Sequence, residues 1–135
     1  MPGKLAPARH AGLPPAPVRK LLWAVDAALT PASPVSDIAE LTDAATAAVR
    51  AGDGHVLSTD HVIFPNGAVT LVLILAESHL AIHTWPEENL IAIDLFSCGS
   101  IDAERVAAEL ARLLRLDGAQ TRWLARGQVA VTPQR

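Results

Sequence analysis

The sequence predicts a two-layer α+β sandwich, a mainly antiparallel sheet with two helices packed on one face. Three observations lead there. Several short apolar runs have strand length and are separated by turn residues. Two longer segments space their apolar residues at helical intervals. The elements follow the order strand, helix, several strands, helix, strand, and stacking helices on a sheet buries the apolar face of both.

The first run, Lys20 to Leu29, holds Leu21, Leu22, Trp23, Val25 and Ala27 and suits a buried strand. Thr30 to Pro34 is a turn. Ser33 or Ser36 then offers an N-cap, with Pro34 or Asp37 in the first turn. Ile38, Leu41, Ala45, Ala48 and Val49 mark the helix stripe, and Gly52 and Gly54 end it. Val56 to Asp60 reads as a strand, and Pro65, Asn66 and Gly67 as a turn. Val69 to Ala76 is apolar almost throughout, which predicts a strand covered on both faces. His79 to Trp85 alternates, and Leu90 to Phe96 is a further apolar strand. Ser100 can cap a second helix carrying Ile101, Val106, Leu110 and Leu113, closed by Gly118. Thr121 to Val131 holds one or two final strands around Gly127.

The chain of 135 residues favours one domain, spanning 19–135, with enough core to fold alone. Residues 1–18 carry five prolines and little apolar surface, and are expected to form a disordered tail rather than a signal peptide or membrane span. A net charge of −3 without a basic run argues against nucleic acid or an anionic membrane as partner. A single cysteine, Cys98, excludes an internal disulfide and fits a reducing cytoplasm. His55, Asp60 and His61 lie close in sequence but read as a solvated loop, so no metal site is expected.

The chemistry-bearing residues gather at strand ends. Glu77, Ser78 and His79 interrupt one apolar run, His83 to Glu87 close the next, and Cys98 follows the third. On residue types alone this signal is suggestive. A serine between strands is most often a turn residue, a strand histidine a structural hydrogen-bonder, and a lone cysteine buried packing. Against that stands the convergence of a nucleophile, an imidazole, a carboxylate and a thiol.

The stretch Glu77-Ser78-His79-Leu80-Ala81-Ile82-His83-Thr84-Trp85-Pro86-Glu87 resembles the signature of prokaryotic S-adenosylmethionine decarboxylase proenzymes. Ile93-Asp94-Leu95-Phe96-Ser97-Cys98-Gly99 resembles that family's second signature, at the expected separation from the first. Weaker similarity covers about Leu21 to Arg126. The resemblance implies self-cleavage between Glu77 and Ser78. Ser78 Oγ would attack the Glu77 carbonyl and convert the peptide to an ester. Loss of the Ser78 α-proton would eliminate the Glu77 carboxylate, and the resulting dehydroalanine would hydrolyse to a covalent pyruvoyl cofactor and ammonia. His83 matches the processing histidine, a residue type suited to proton transfer near neutrality.

The same resemblance makes the pyruvoyl group an electron sink that forms a Schiff base with the substrate amine. Cys98 stands where the family keeps its proton donor. Phe64 matches an aromatic used against adenine, Glu87 a carboxylate for the ribose hydroxyls, and Thr70 a hydroxyl near the methionyl group. Trp85 and Phe64 could face the sulfonium cation. The bland alternatives are core aromatics for Phe64 and Trp85, a solvated turn residue for Glu87 and an ordinary strand residue for Thr70.

Two segments depart from the family pattern: Asp26 is followed by Ala27, Ala28 and Leu29, and the loop Phe64-Pro65-Asn66-Gly67-Ala68 displaces its proline and glycine. They leave open a relative that decarboxylates another amino acid, such as arginine or ornithine. A non-catalytic regulatory paralogue is a further alternative, although it would be expected to lose Ser78, His83 or Cys98. The expected partners are S-adenosylmethionine, the two cleavage fragments for each other, and further copies of the chain. The resemblance implies a homodimer or higher homo-oligomer with a sheet-on-sheet contact and sites near the interface.

Overall fold

The computed structural model describes residues 20–127 and Val129. The expected tail and the end of the last predicted strand lie outside the described residues. The elements run β1 (Lys20–Ala28), α1 (Ile38–Ala51), β2 (Val56–Ile63), β3 (Val69–Leu75), β4 (Ser78–Trp85), a 3-10 turn (Pro86–Glu88), β5 (Leu90–Ser97), α2 (Ala103–Leu113) and β6 (Asp117–Arg126). The six strands form one antiparallel sheet in the order β2-β3-β4-β5-β1-β6. This is the expected α+β architecture.

Strand alternation sorts the side chains into two layers. Trp23, Val25 and Ala27 of β1, Leu71, Leu73 and Leu75 of β3, Leu80 and Ile82 of β4, and Ile91, Ile93 and Leu95 of β5 are buried. They form one core with Leu41, Ala45, Ala48 and Val49 of α1 and Val106 and Leu110 of α2. Small alanines on the α1 stripe let that helix lie close to its neighbours, and α1 and α2 also pack on each other.

Both helices start slightly later than the serines suggested. Asp37 caps α1, accepting from the N–H groups of Ala39 and Glu40 at 2.9 and 3.2 Å. Ser33 is engaged elsewhere: its Oγ accepts from the Thr30 N–H at 2.9 Å. Asp102, not Ser100, caps α2 by accepting from the Arg105 N–H. Ile101 is buried just ahead of that cap, which fixes the entry of the chain. Gly118 does not close α2. Leu114 is its C-cap, Arg115 takes the left-handed conformation at φ 52°, and Gly118 lies inside β6 at φ 60°.

The expectation that β3 is covered on both faces is not met among the described residues of one chain. Ile74 is 45% exposed, and Thr70 and Val72 beside it are half-buried. The reason is that both helices lie on the other face. The helix-free face displays Val72 and Ile74 of β3, His79 and Ala81 of β4, Phe96 of β5, Leu22 of β1 and Leu124 of β6 in consistent register. Among the described residues no helix is long and apolar enough to cross a membrane.

Candidate active site

Two clusters of polar side chains lie at opposite ends of β4. The first surrounds Ser78. A tight turn at Ala76 and Glu77 joins β3 to β4, and Ser78 enters β4 with φ 145°. Positive φ in a non-glycine residue crowds Cβ against the backbone and is held only where surrounding contacts demand it. Such contacts are present. Ser78 pairs with Leu75 on one side and Ser97 on the other. The Glu77 carbonyl accepts the Cys98 N–H at 3.0 Å. Ser97 is buried, and its Oγ accepts the Gly99 N–H at 3.3 Å, shaping the bend that brings Cys98 beside the turn. Cys98 is exposed, so the reading of a buried packing thiol does not hold.

Glu77 is a buried carboxylate, 8% exposed. Its Oε1 accepts the His55 backbone N–H at 3.0 Å, and its Oε2 lies 2.8 Å from His55 Nδ1. Burial opposes ionisation of Glu77, but the hydrogen bonds from the His55 imidazole and backbone together outweigh it. The carboxyl therefore sits below its ordinary value. His55 is thus not simply part of a solvated loop, although its side chain is 73% exposed. Asp60 and His61 lie apart from it on β2, where Asp60 Oδ1 accepts the His61 backbone N–H.

The second cluster lies at the far end of β4. Phe64, Thr70, Trp85 and Glu87 line one open cleft of about 400 Å³ with Asn66, Ala68, Val69 and Thr84. The four residues singled out as substrate contacts are therefore brought together. Phe64 and Trp85 are 45% and 37% exposed, which rules out the core-aromatic reading for both. The Val69 N–H donates to Thr84 Oγ1 at 2.9 Å and fixes the cleft floor. Thr70 Oγ1 lies 3.2 Å from His83 Nδ1, and the His83 and Trp85 rings are tilted with centroids 6.2 Å apart. Asn66 Nδ2 donates to Glu87 Oε1 at 3.4 Å.

Within one chain the structure does not join the two clusters. Ser78 and His83 are five residues apart on the same strand. At the usual rise that is about 16 Å, and the odd interval puts the two positions out of phase in the alternation of faces. Ser78, Glu77 and Cys98 meet at one end; at the other, His83 meets Thr70 and Trp85, which line the cleft. Two contributors escaped sequence reasoning. His55 lies 22 residues before Glu77 and carries no local signal. Asn66 reads as a turn residue, and indeed its Oδ1 accepts the Ala68 N–H in the turn.

The family described as S-adenosylmethionine decarboxylase matches residues 21–127. The S-adenosylmethionine decarboxylase proenzyme 2 of Bacillus anthracis is 34% identical over 107 residues, covering 78% of this chain and 83% of that one. The S-adenosylmethionine decarboxylase proenzymes of Prochlorococcus marinus and Acidithiobacillus ferrooxidans are 46% and 50% identical over 71 and 70 residues. Those two alignments span about half the length of each relative, 56% and 52%. The crystal structure of the adenosylmethionine decarboxylase from Aquifex aeolicus superimposes with a TM-score of 0.72 over 89% of this chain and 100% of that one. At 23% identity it attests the shared fold.

Proposed function

The chain belongs to the S-adenosylmethionine decarboxylase family, and on that premise we propose that it is a self-cleaving decarboxylase of S-adenosylmethionine whose Ser78 becomes a covalent pyruvoyl group. The product would be an aminopropyl donor for spermidine biosynthesis. The observation that carries the proposal is the geometry of the Glu77–Ser78 bond. Ser78 is held at φ 145°, and the carbonyl before it already accepts the Cys98 N–H at 3.0 Å.

That arrangement suits cleavage. Attack of Ser78 Oγ on the Glu77 carbon pushes negative charge onto an oxygen that has a donor in place, as in an oxyanion hole. Backbone strain at Ser78, of order 1–3 kcal/mol, is released when the peptide bond breaks. The residues present therefore fit a pyruvoyl group at this position. Once formed, it supplies an electron sink for the charge left when carbon dioxide departs. Cys98, exposed and adjacent in the backbone network, is placed to return a proton to the substrate α-carbon. Phe64 and Trp85 offer aromatic faces for the adenine and the sulfonium, Glu87 accepts from the ribose hydroxyls, and Thr70 borders the methionyl group.

The separation of Ser78 from His83 supports a homodimer in which each site is shared. The helix-free sheet face carries Ile74 and Leu124 exposed around a centre that includes Ala81 and Asp94, and among the described residues no helix covers it. Two such faces would stack about 10 Å apart. A two-fold axis between them and across the strands sets the Ser78 end of one copy over the cleft end of the other. The end of one copy that carries His83, Thr70, Phe64 and Glu87 then lies over the Ser78 and Cys98 turn of its partner.

Carbon dioxide release separates the candidate substrates. The purified protein is expected to decarboxylate S-adenosylmethionine and to leave arginine and ornithine intact. Release from arginine or ornithine with none from S-adenosylmethionine would overturn the substrate assignment and favour the alternative decarboxylase. No release from any of the three would favour the regulatory paralogue.

A further inference from the structure

We propose that His55 is a positioning residue for self-cleavage: it grips the two residues ahead of the Glu77–Ser78 bond and holds the Glu77 carbonyl in line for attack. This rests on the reading of Ser78 as the self-processing residue. Three contacts make the grip. The His55 carbonyl accepts the Ala76 N–H at 2.9 Å, its N–H donates to Glu77 Oε1 at 3.0 Å, and Nδ1 lies 2.8 Å from Glu77 Oε2. Ala76 and Glu77 form the whole connection between β3 and Ser78. With the Cys98 N–H on the Glu77 carbonyl, the residue upstream of the bond is fixed through both its side chain and its backbone.

His55 is itself anchored from the helical layer. It follows the turn Gly52-Asp53-Gly54, whose backbone passes between the end of α1 and the start of α2. The Asp102 N–H donates to the Gly52 carbonyl at 2.8 Å. A Cβ on Gly54 would come within 2.6 Å of both Ile101 Cδ1 and Val49 Cγ1. A side chain there would push Ile101 and Val49 aside, so this close packing fixes the turn that leads directly into His55 beside the β3–β4 turn. The helices are thereby connected to the cleavage site through one exposed imidazole.

In the step this grip serves, a bond forms between Ser78 Oγ and the Glu77 carbonyl carbon. The carbon–nitrogen bond to Ser78 breaks, and the hydroxyl proton ends on the freed amine. Attack geometry decides the rate of such a step, because small misplacement of reacting atoms costs large factors. A rotating Glu77 would let its carbonyl leave the Cys98 N–H. A carboxylate held from two sides does not rotate.

The test compares cleavage half-times after a pulse of cell-free synthesis, read by intact mass, for the wild-type chain, H55A and H55N. Asparagine keeps a side-chain N–H donor near the Nδ1 position. H55A is expected to cleave about 10-fold more slowly or worse, equivalent to about 1.4 kcal/mol on the barrier. H55N is expected to recover most of the rate. Melting of H55A in the uncleavable S78A background reports whether the fold itself has suffered; should H55A fail to fold, the half-time of H55N alone decides. H55A cleaving within twofold of wild type would overturn the inference, as would H55N cleaving as slowly as a folded H55A. A wild-type chain that never cleaves would instead remove the processing assignment beneath it.

Discussion

Replacing Ser78 by glycine and, separately, by alanine isolates the strain at the cleavage site. Neither variant has the hydroxyl, so both remain single chains and can be melted without a mixture of cleaved species. In an ordinary strand position glycine costs about 0.5–1 kcal/mol relative to alanine, because it loses more backbone freedom on folding. At φ 145° the order should invert. Alanine keeps the Cβ that makes this conformation unfavourable by about 1–3 kcal/mol, and glycine does not. The difference leaves S78G about 1 kcal/mol more stable than S78A, a shift of roughly 4 °C in Tm for a domain of this size. Melting at matched protein concentration removes the effect of self-association on Tm. If S78A melts at or above S78G, the backbone at Ser78 stores no strain, and relief of strain contributes nothing to cleavage.

C98A should still cleave to some extent but turn over poorly, a split read by intact mass against carbon dioxide release. Co-expressing S78A chains with H83A chains should restore cleavage of the H83A chain alone, because its Ser78 would meet an intact His83 in the partner; cleavage of neither chain in proven mixed dimers would argue against shared sites. D37A should cost about 1 kcal/mol of stability, the usual worth of an N-cap, without touching the site, as measured by denaturant unfolding. The Glu77 carboxyl is held below its ordinary value of 4.5. A depressed carboxyl stabilises the fold above the unfolded-state value, and that contribution disappears as pH falls through the lower folded-state value. In the S78A background, stability should therefore drop on acidification below about pH 4.5, and E77Q should flatten the slope.

Much of the fold was legible because burial on a sheet writes itself into a sequence as runs and alternations. Val69 to Leu75 and Leu90 to Ser97 are strands for that reason. The helix starts were less legible. Ser33, Ser36, Asp37, Ser100 and Asp102 are all competent caps, and the choice was made by tertiary contacts such as the Thr30–Ser33 turn and the burial of Ile101. The exposure of Ile74 was illegible for a related cause: an apolar run reports that a face is fit to be covered, not which chain covers it.

The candidate site divides in the same way. The resemblance to the decarboxylase family singled out Phe64, Thr70, Trp85 and Glu87 as substrate contacts, and the cleft contains all four. The resemblance also paired Ser78 with His83 for processing, but a strand carries five residues too far for them to meet in one chain. The grip of His55 on Glu77 depends on a contact across 22 residues, and the positive φ of Ser78 depends on pairings to both neighbouring strands. Neither leaves a trace in residue type or spacing.

The mass of the downstream fragment from freshly purified protein bears most directly on whether Ser78 makes its own cofactor. Two fragments are expected, with the one beginning at position 78 lighter than its serine-started sequence by one ammonia and closed to amino-terminal degradation. A single intact chain that nonetheless releases carbon dioxide from S-adenosylmethionine, or a fragment that begins with an unmodified serine, would contradict it.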